Sequence, residues 1–242
     1  MSRPLRDTDD LCHNRLLSTL PEADIGLLKP WLSVLALPRS KVLFEPGDEV
    51  ETTYFPCHST MVSLLIVLRD GREVEAATIG HEGAVGGVIS RGRKPAFGRA
   101  AVQIAGPAYA ISTQRLEEAK QQSPRLGDVF SRYSDILAAQ MMQSVACNAL
   151  HSLEQRCSRW LLATHDRAGA DLIHLTQESL AEMLGVQRTS VTAVARQLSE
   201  KGVIRYQRGK IEILDRPALE AESCECYEAV EAHFKAVFLK GP

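Results

Sequence analysis

Between Gln187 and Arg196 the chain carries an amide, two guanidiniums and three short hydroxyls, on Gln187, Arg188, Thr189, Ser190, Thr192 and Arg196. Such groups hydrogen-bond to the edges of DNA bases, and an arginine can donate two parallel bonds to one guanine. From Gln187 to Lys210 there are six Lys/Arg (Arg188, Arg196, Lys201, Arg205, Arg208 and Lys210) against Glu200 alone. That local balance of +5 sits in a chain whose net charge is −2. Positive charge focused in this way suits phosphate contacts. Arg188 is the candidate for guanine, Gln187, Ser190 and Thr192 for bases or phosphates, and Arg208 and Lys210 for the backbone. Thr176 and Gln177, just upstream, join the same candidate surface.

Two helices and a hairpin must hold these groups. In TQESLAEMLGVQRTSVTAVARQLSEKG, Thr176 is a candidate N-cap, followed by Gln177 and Glu178 in a first turn that favours negative charge. Leu180, Ala181 and Leu184 fall on one face of a short helix, and Gly185 supplies the turn. Val191, Val194 and Leu198 form the inward stripe of a second helix, and Gly202 sits just past its end. This is the helix-turn-helix pattern. VIRYQRGKIEIL then reads as two alternating strands around Arg208-Gly209-Lys210, a hairpin wing. A helical packing module with a solvated charged face would share part of this pattern but has no need of the wing.

Other chemistries find little support. The chain has no P-loop, no GxSxG, no HExxH and no clear pair of catalytic carboxylates, so no enzymatic role is expected. The six cysteines (Cys12, Cys57, Cys147, Cys157, Cys224 and Cys226) include no CxxC pair and no zinc-finger spacing. Cys224-Glu225-Cys226 is the one notable spacing. On a continuous helix, residues two apart diverge, so no metal is expected there unless the helix unwinds. No run approaches the ~20 apolar residues of a membrane span, and MSRPLRDTDD lacks a signal-peptide core. A cytoplasmic protein without membrane partners is the expectation.

The 242 residues suffice for two domains with real cores. The first 35 residues read as helical, interrupted at Pro21 and Pro30, with Ile25, Leu27 and Leu28 turned inward. Between Leu37 and Ile111 the signals become those of strands: Val42–Phe44, Met61–Leu68, Glu73–Ile79, Ala100–Ile104 and Ala108–Ile111. Pro46-Gly47 and Asp70-Gly71 supply turns, and the set predicts a β sandwich or roll. From Pro124 to Leu150, Leu126, Phe130, Tyr133, Leu137, Met141 and Val145 recur at helical spacing. Such a stripe wants a partner helix, and a second copy is the simplest one. The competing reading is a helix lying on its own β domain. Pro217 to Leu239 reads as one acidic amphipathic helix, with Leu219, Tyr227, Val230, Phe234, Val237 and Phe238 as its apolar face. It is expected either to pack back on the chain or to bind a partner.

In this order, the features resemble the Crp/Fnr family of bacterial transcription regulators over nearly the whole chain. The residues that carry the match are Pro46-Gly47-Asp48, Asp70-Gly71, GHEGAVGG from Gly80 to Gly87, the long helix, TQESLAEMLGVQRTSVTAVARQL and the RGK wing. The resemblance implies an α+β chain with a cyclic-nucleotide-binding-like β roll as sensor over residues 1–122. A dimerisation helix over 123–150 follows, then a winged helix-turn-helix with the acidic helix over 151–242. It also implies a homodimer on double-stranded DNA, with RNA polymerase as a partner where activation occurs. A dimeric ligand-binding or interaction module without DNA affinity, and a cyclic-nucleotide-dependent regulator, are the alternatives.

Departures from the family pattern bear on the effector and the half-site. Relatives that bind cyclic AMP hold its ribose with a glutamate after a glycine, and its phosphate with an arginine followed by a hydroxyl residue. Here the aligned segments are Gly86-Gly87-Val88 and Arg99-Ala100-Ala101, which lack both the carboxylate and the hydroxyl. Cyclic AMP by the usual mode is not expected; an apolar or small anionic effector, or no effector at all, stays open. Cys12 stands alone where the oxygen-sensing branch has a cysteine cluster. His58, His81 and Cys57 match haem ligands by residue type only. The Arg91-Gly92-Arg93-Lys94 cluster could meet an anion but reads better as a solvated loop. In many relatives the recognition helix carries Arg-Glu and a second arginine one turn later. Here Arg188 keeps the first position, while Thr189 and Ala193 replace the others, so a different half-site is expected.

Overall fold

The computed structural model describes residues 13–88 and 95–238, together with the backbone of Arg3–Pro4. Cys12 and the Arg91–Lys94 loop lie outside the described residues. The chain folds as two units. One holds the chain through Leu64 with Thr78–Ala138, and the other holds Leu65–Ala77 with Ala139–Lys240.

The elements begin with β1 (Arg3–Pro4), α1 (Arg15–Ser18), α2 (Glu22–Leu28) and a 3₁₀ turn over Lys29–Trp31. Strands β2 (Ser33–Leu37), β3 (Val42–Phe44), β4 (Thr52–Pro56), β5 (Met61–Val67), β6 (Glu73–Ile79), β7 (Arg99–Ile104) and β8 (Gly106–Ser112) follow. After them come α3 (Thr113–Gln122) and α4 (Pro124–Leu150). The strands form two four-stranded sheets, ordered β1-β2-β8-β4 and β3-β7-β5-β6. Strand β8 is central, antiparallel to β2 and β4 (Val34 opposite Tyr109, Phe55 opposite Tyr109). Two readings need correction. Residues 33–35 are strand rather than helix, and of the inward set proposed for α2 only Leu28 is buried, beside Asp24. β branching at Thr52 and Thr53 supports the unanticipated β4, which ends in Pro56.

Asn14 pins α1 to this roll. Its Oδ1 caps the helix by accepting from the Leu17 amide at 3.0 Å, and its Nδ2 donates to the carbonyls of Pro56 (2.8 Å) and Gly83 (2.9 Å). Full satisfaction lets this polar side chain stay buried.

Helix α4 uses the expected stripe differently. Leu126, Phe130, Tyr133 and Leu137 are buried against their own chain. Phe130 meets Phe55 edge-on with ring centroids 6.2 Å apart, and the Tyr133 hydroxyl donates to the Ala84 carbonyl at 3.1 Å. Gly83 lies so close to the Tyr133 ring that a Cβ there would collide with it. These four residues are therefore not available to a partner helix. The exposed row is displaced around α4. Met142 and Val145 are 67% and 70% exposed, and Ala149, Asp135, Ser131 and Asp128 continue the row outward. Of the expected seam only Val145 belongs to that row; Met141 is half-buried.

The second unit adds α5 (Leu153–Ala168), β9 (Leu172–Ile173), α6 (Gln177–Leu184), α7 (Arg188–Glu200), β10 (Ile204–Gln207), β11 (Lys210–Ile213), α8 (Arg216–Ala221) and α9 (Cys226–Phe238). A capping box closes the start of α5, where Ser152 accepts from the Gln155 amide and the Gln155 side chain accepts from the Ser152 amide. Cys157, Trp160, Leu161 and Leu162 form its buried face. The three-stranded sheet is ordered β10-β11-β9.

The C-terminal segment is not one helix. It breaks between Ala221 and Cys226, so Cys224 lies in irregular backbone and Cys226 opens α9. The break removes the geometric objection to shared ligation, and the two sulfur atoms lie within 4.8 Å of one another. Both helices return to α5. The Arg216 guanidinium donates to His165 Nδ1 (2.6 Å) and the Tyr227 hydroxyl (2.7 Å) and pairs with Asp166 (2.7 Å). The Tyr227 hydroxyl in turn donates to Asp166 at 2.7 Å.

Candidate nucleic-acid interface

Helix α6 begins at Thr176, whose hydroxyl accepts from the Ser179 amide at 3.1 Å. It ends at Gly185 in the left-handed region (φ 65°), which a side chain would strain. The Val186 amide reaches back to the Ala181 carbonyl at 3.0 Å and the Gly185 amide to Glu182 at 3.1 Å, a Schellman closure. This tight stop sets the angle at which α7 departs. Val191, Val194, Ala195 and Leu198 then fall inward and are buried against the winged-helix core. Leu180, Ala181, Met183 and Leu184 do the same for α6.

The opposite face of α7 is open. Gln187, Arg188, Thr189, Thr192, Ala193 and Arg196 are exposed, and Ser190 is half-buried. Thr176 and Gln177 are half-buried at the start of α6. The wing pairs Gln207 with Lys210, which puts Arg208 at the tip. Arg208 and Lys210 are exposed and make no ion pair with any described residue.

Several of the counted cations are paired with acids, most of them outside the sequence window. Lys201 bonds both Glu154 (2.8 Å) and Glu222 (2.7 Å), and Arg205 bonds Glu212 at 2.6 Å. Arg196 pairs with Glu200 at 2.7 Å, one turn ahead on the same helix. Arg188 faces Glu178 at 3.5 Å across the two helices, an exposed and weak pair. The Thr192 hydroxyl sits 2.8 Å from Gln177 Oε1 and 3.0 Å from the Arg188 carbonyl, so its proton is used within the protein. From sequence, Glu178 was read only as a first-turn acid of α6, and its position in the helix that crosses the start of α7 marks it as the neighbour of Arg188; Glu154 was not singled out.

Among the described residues, those singled out for an effector do not assemble an anion cradle. Gly86 and Gly87 have positive φ and pack tightly against β4 and Thr113. A Cβ on Gly86 would stand 2.6 Å from the Thr52 carbonyl oxygen, and one on Gly87 would stand 2.9 Å from Thr53 Oγ1. Val88 is buried behind them. Arg99 Nε donates to Glu45 at 2.9 Å, and Ala100 and Ala101 are buried strand residues opposite Phe44 and Val42. A cleft of about 480 Å³ nearby is lined by Glu49, Glu51 and Glu117, charges that repel a phosphate. The His58 ring lies tilted by 40° against His81 with centroids 4.9 Å apart, and His13 stands edge-on to His58. Cys57 is buried, and burial pushes its thiol up to about 11.

A β roll, a long helix and a winged helix-turn-helix with an open, partly cationic recognition face define a DNA-binding transcription regulator. Residues 155–222 match the model of the Crp-like helix-turn-helix domain. The "Global nitrogen regulator" of Synechococcus elongatus is 26% identical over 220 residues, 86% of this chain and 97% of its own length. Its namesake in Nostoc is 27% identical over 72% of this chain and 82% of its own. Among solved structures, FixK2 from Bradyrhizobium japonicum superposes with a TM-score of 0.69 at 16% identity, over 80% of this chain and 98% of its own. A CRP-family transcriptional regulator from Thermus thermophilus does so at 0.64 and 19% identity, over 78% of this chain and 96% of its own. Residues 155–222 thus carry a Crp-like helix-turn-helix domain, and the chain as a whole is similar to regulators of the Crp/Fnr family. No helix among the described residues is long and apolar enough to cross a membrane.

Proposed function

We propose that the chain acts as a cytoplasmic homodimer that lowers two copies of α7 into successive major grooves of a duplex. The observation that carries this reading is the division of α7. Its apolar side is consumed by the core while Gln187, Arg188, Thr189 and Ala193 stand open. Arg188 reads guanine, and Arg208 and Lys210 hold the phosphates on either side of the groove. The dimer forms along the displaced row of α4. Asp128, Ser131, Asp135, Ala138, Met142, Val145 and Ala149 alternate spacings of three and four, the heptad seam of two parallel helices.

Cyclic AMP is not the effector by the usual mode. Arg99 is occupied by Glu45, and no carboxylate stands at Gly86-Gly87 to receive a ribose. Selection of bound sequences from random duplexes tests the function, using the full-length protein without added ligand. The expected result is a palindrome whose half-sites lie about one helical turn (~34 Å) apart. Recovery of no preferred sequence at physiological salt would overturn it and favour a ligand-binding or interaction module.

A further inference from the structure

A second chemical centre lies away from the recognition face. Cys147 on the last turn of α4 and His151 just beyond it are four residues apart, so both point the same way. The break between α8 and α9 brings Cys224 and Cys226 against them. The three Sγ atoms and the imidazole nitrogen all lie within 4.8 Å of one another. Cys147 Sγ is 3.5 Å from Cys224 Sγ, and Cys226 Sγ is 3.5 Å from His151 Nδ1. A tetrahedral ion with thiolate legs of ~2.3 Å and an imidazole leg of ~2.0 Å spaces its donors ~3.5 to 3.8 Å apart. Those two separations match a single ion, and the remaining pairs stay within 4.8 Å. A cluster of several irons holds its cysteine sulfurs farther apart.

We propose that Cys147, His151, Cys224 and Cys226 bind one zinc ion in a closed Cys₃His site that fastens the α8–α9 turn to the end of α4. Three soft thiolates and an imidazole are the donor set zinc prefers, and four protein ligands leave no open position, which marks a structural site. The surroundings fit ligation. Glu225 Oε2 lies 3.3 Å from His151 Nε2, so a carboxylate holds the outer ring nitrogen and turns the Nδ1 lone pair inward. Gln143, one turn before Cys147, donates from Nε2 to Cys226 Sγ at 3.0 Å. The three cysteines are all less than 4% exposed, and burial first, then the Cys147 side chain, raises the Cys224 thiol. Binding a dication releases those protons and supplies the charge that burial denies the thiolates. The guanidiniums of Arg156 and Arg159 act on Cys147 and offset the remaining negative charge.

Elemental analysis of full-length protein, purified without chelator and desalted, is the test. About one zinc per chain is expected, and cobalt exchanged into the site should show the intense visible bands of a tetrahedral thiolate complex. Cys224→Ser should lose the metal, whereas Cys57→Ser should keep it. Glu225→Gln should keep the stoichiometry but weaken affinity by about 10- to 100-fold in a competition titration. Chelation should lower the melting temperature of the wild type, and added zinc should restore it. Wild-type protein that neither contains nor takes up zinc would overturn the proposal. Zinc retained after Cys224→Ser, iron with inorganic sulfide, or a Cys147–Cys224 disulfide in freshly reduced and desalted protein would do the same.

Discussion

Replacing Arg188 by alanine separates base reading from simple charge. The Arg188 and Glu178 side chains are 65% and 66% exposed and their charged ends are 3.5 Å apart. An exposed pair of this kind contributes about 0 to 1 kcal/mol, so the substitution should barely move folding stability. On DNA the loss is larger, because a bidentate guanine contact is worth about 1 to 3 kcal/mol per half-site. With two distant half-sites the losses add to about 2 to 6 kcal/mol, roughly 30-fold to 10⁴-fold in affinity. Fluorescence anisotropy with the selected palindrome and a scrambled duplex, at two salt concentrations, measures both terms. Arg188→Ala should weaken the palindrome far more than the scrambled duplex. Arg208→Ala should weaken both alike and lower the salt slope by about one counterion per protomer. Equal losses of Arg188→Ala on the two duplexes would refute the base-reading role.

Glu178→Gln should tighten binding to both duplexes, since it removes a carboxylate beside Arg188 at a surface that meets phosphates; anisotropy titration would detect the gain. Met142→Asp with Val145→Asp should yield a monomer by light scattering and abolish cooperative DNA binding, while circular dichroism stays unchanged. Gly83→Ala forces a methyl into the Tyr133 ring and should cost about 1 to 3 kcal/mol in urea unfolding. Cys57 and Cys157 should resist alkylation at pH 8 until the protein unfolds, as read by mass spectrometry, because burial raises their thiols to about 11 and about 12. A raised thiol pKa means the unfolded chain loses its proton first. The stability these thiols contribute should therefore fall as pH climbs from about 9 toward 11 or 12.

The parts of the fold that carried strong local signals were legible. Thr176, Gly185 and the Val191-Val194-Leu198 stripe mark α6 and α7 because caps and periodicity act over a few residues. Helix α5 carried equally local marks, Ser152 with Gln155 at its start and Gly169 at its end, and was passed over. The face of α4 was misassigned for a different reason. Periodicity reveals that Leu126, Phe130, Tyr133 and Leu137 are buried, but not which body buries them. The β roll takes that side and leaves Met142 and Val145 exposed, the residues a partner helix would have to use under the proposed function. The break after α8 had no glycine or proline to announce it. With that break hidden, Cys224 and Cys226 looked divergent, and Cys147 and His151 lay more than seventy residues away.

The reading surface is narrower than its sequence suggested, and the reason is internal bonding. A windowed charge count assumes that each cation answers only to its neighbours in sequence, yet Glu154, Glu212 and Glu222 hold Lys201 and Arg205 from elsewhere in the fold. Thr192 spends its proton on Gln177 or the Arg188 carbonyl, which ties the start of α6 to α7 and makes it a positioning residue. Arg196 leans on Glu200. What is left to discriminate bases is the first turn of α7, with Gln187, Arg188 and Thr189, and the small Ala193 one turn on. Alanine there offers only apolar contact, which favours a thymine methyl over a polar base edge. Under the proposed function, discrimination would rest on one guanidinium flanked by short groups, held on a helix whose inner face is buried.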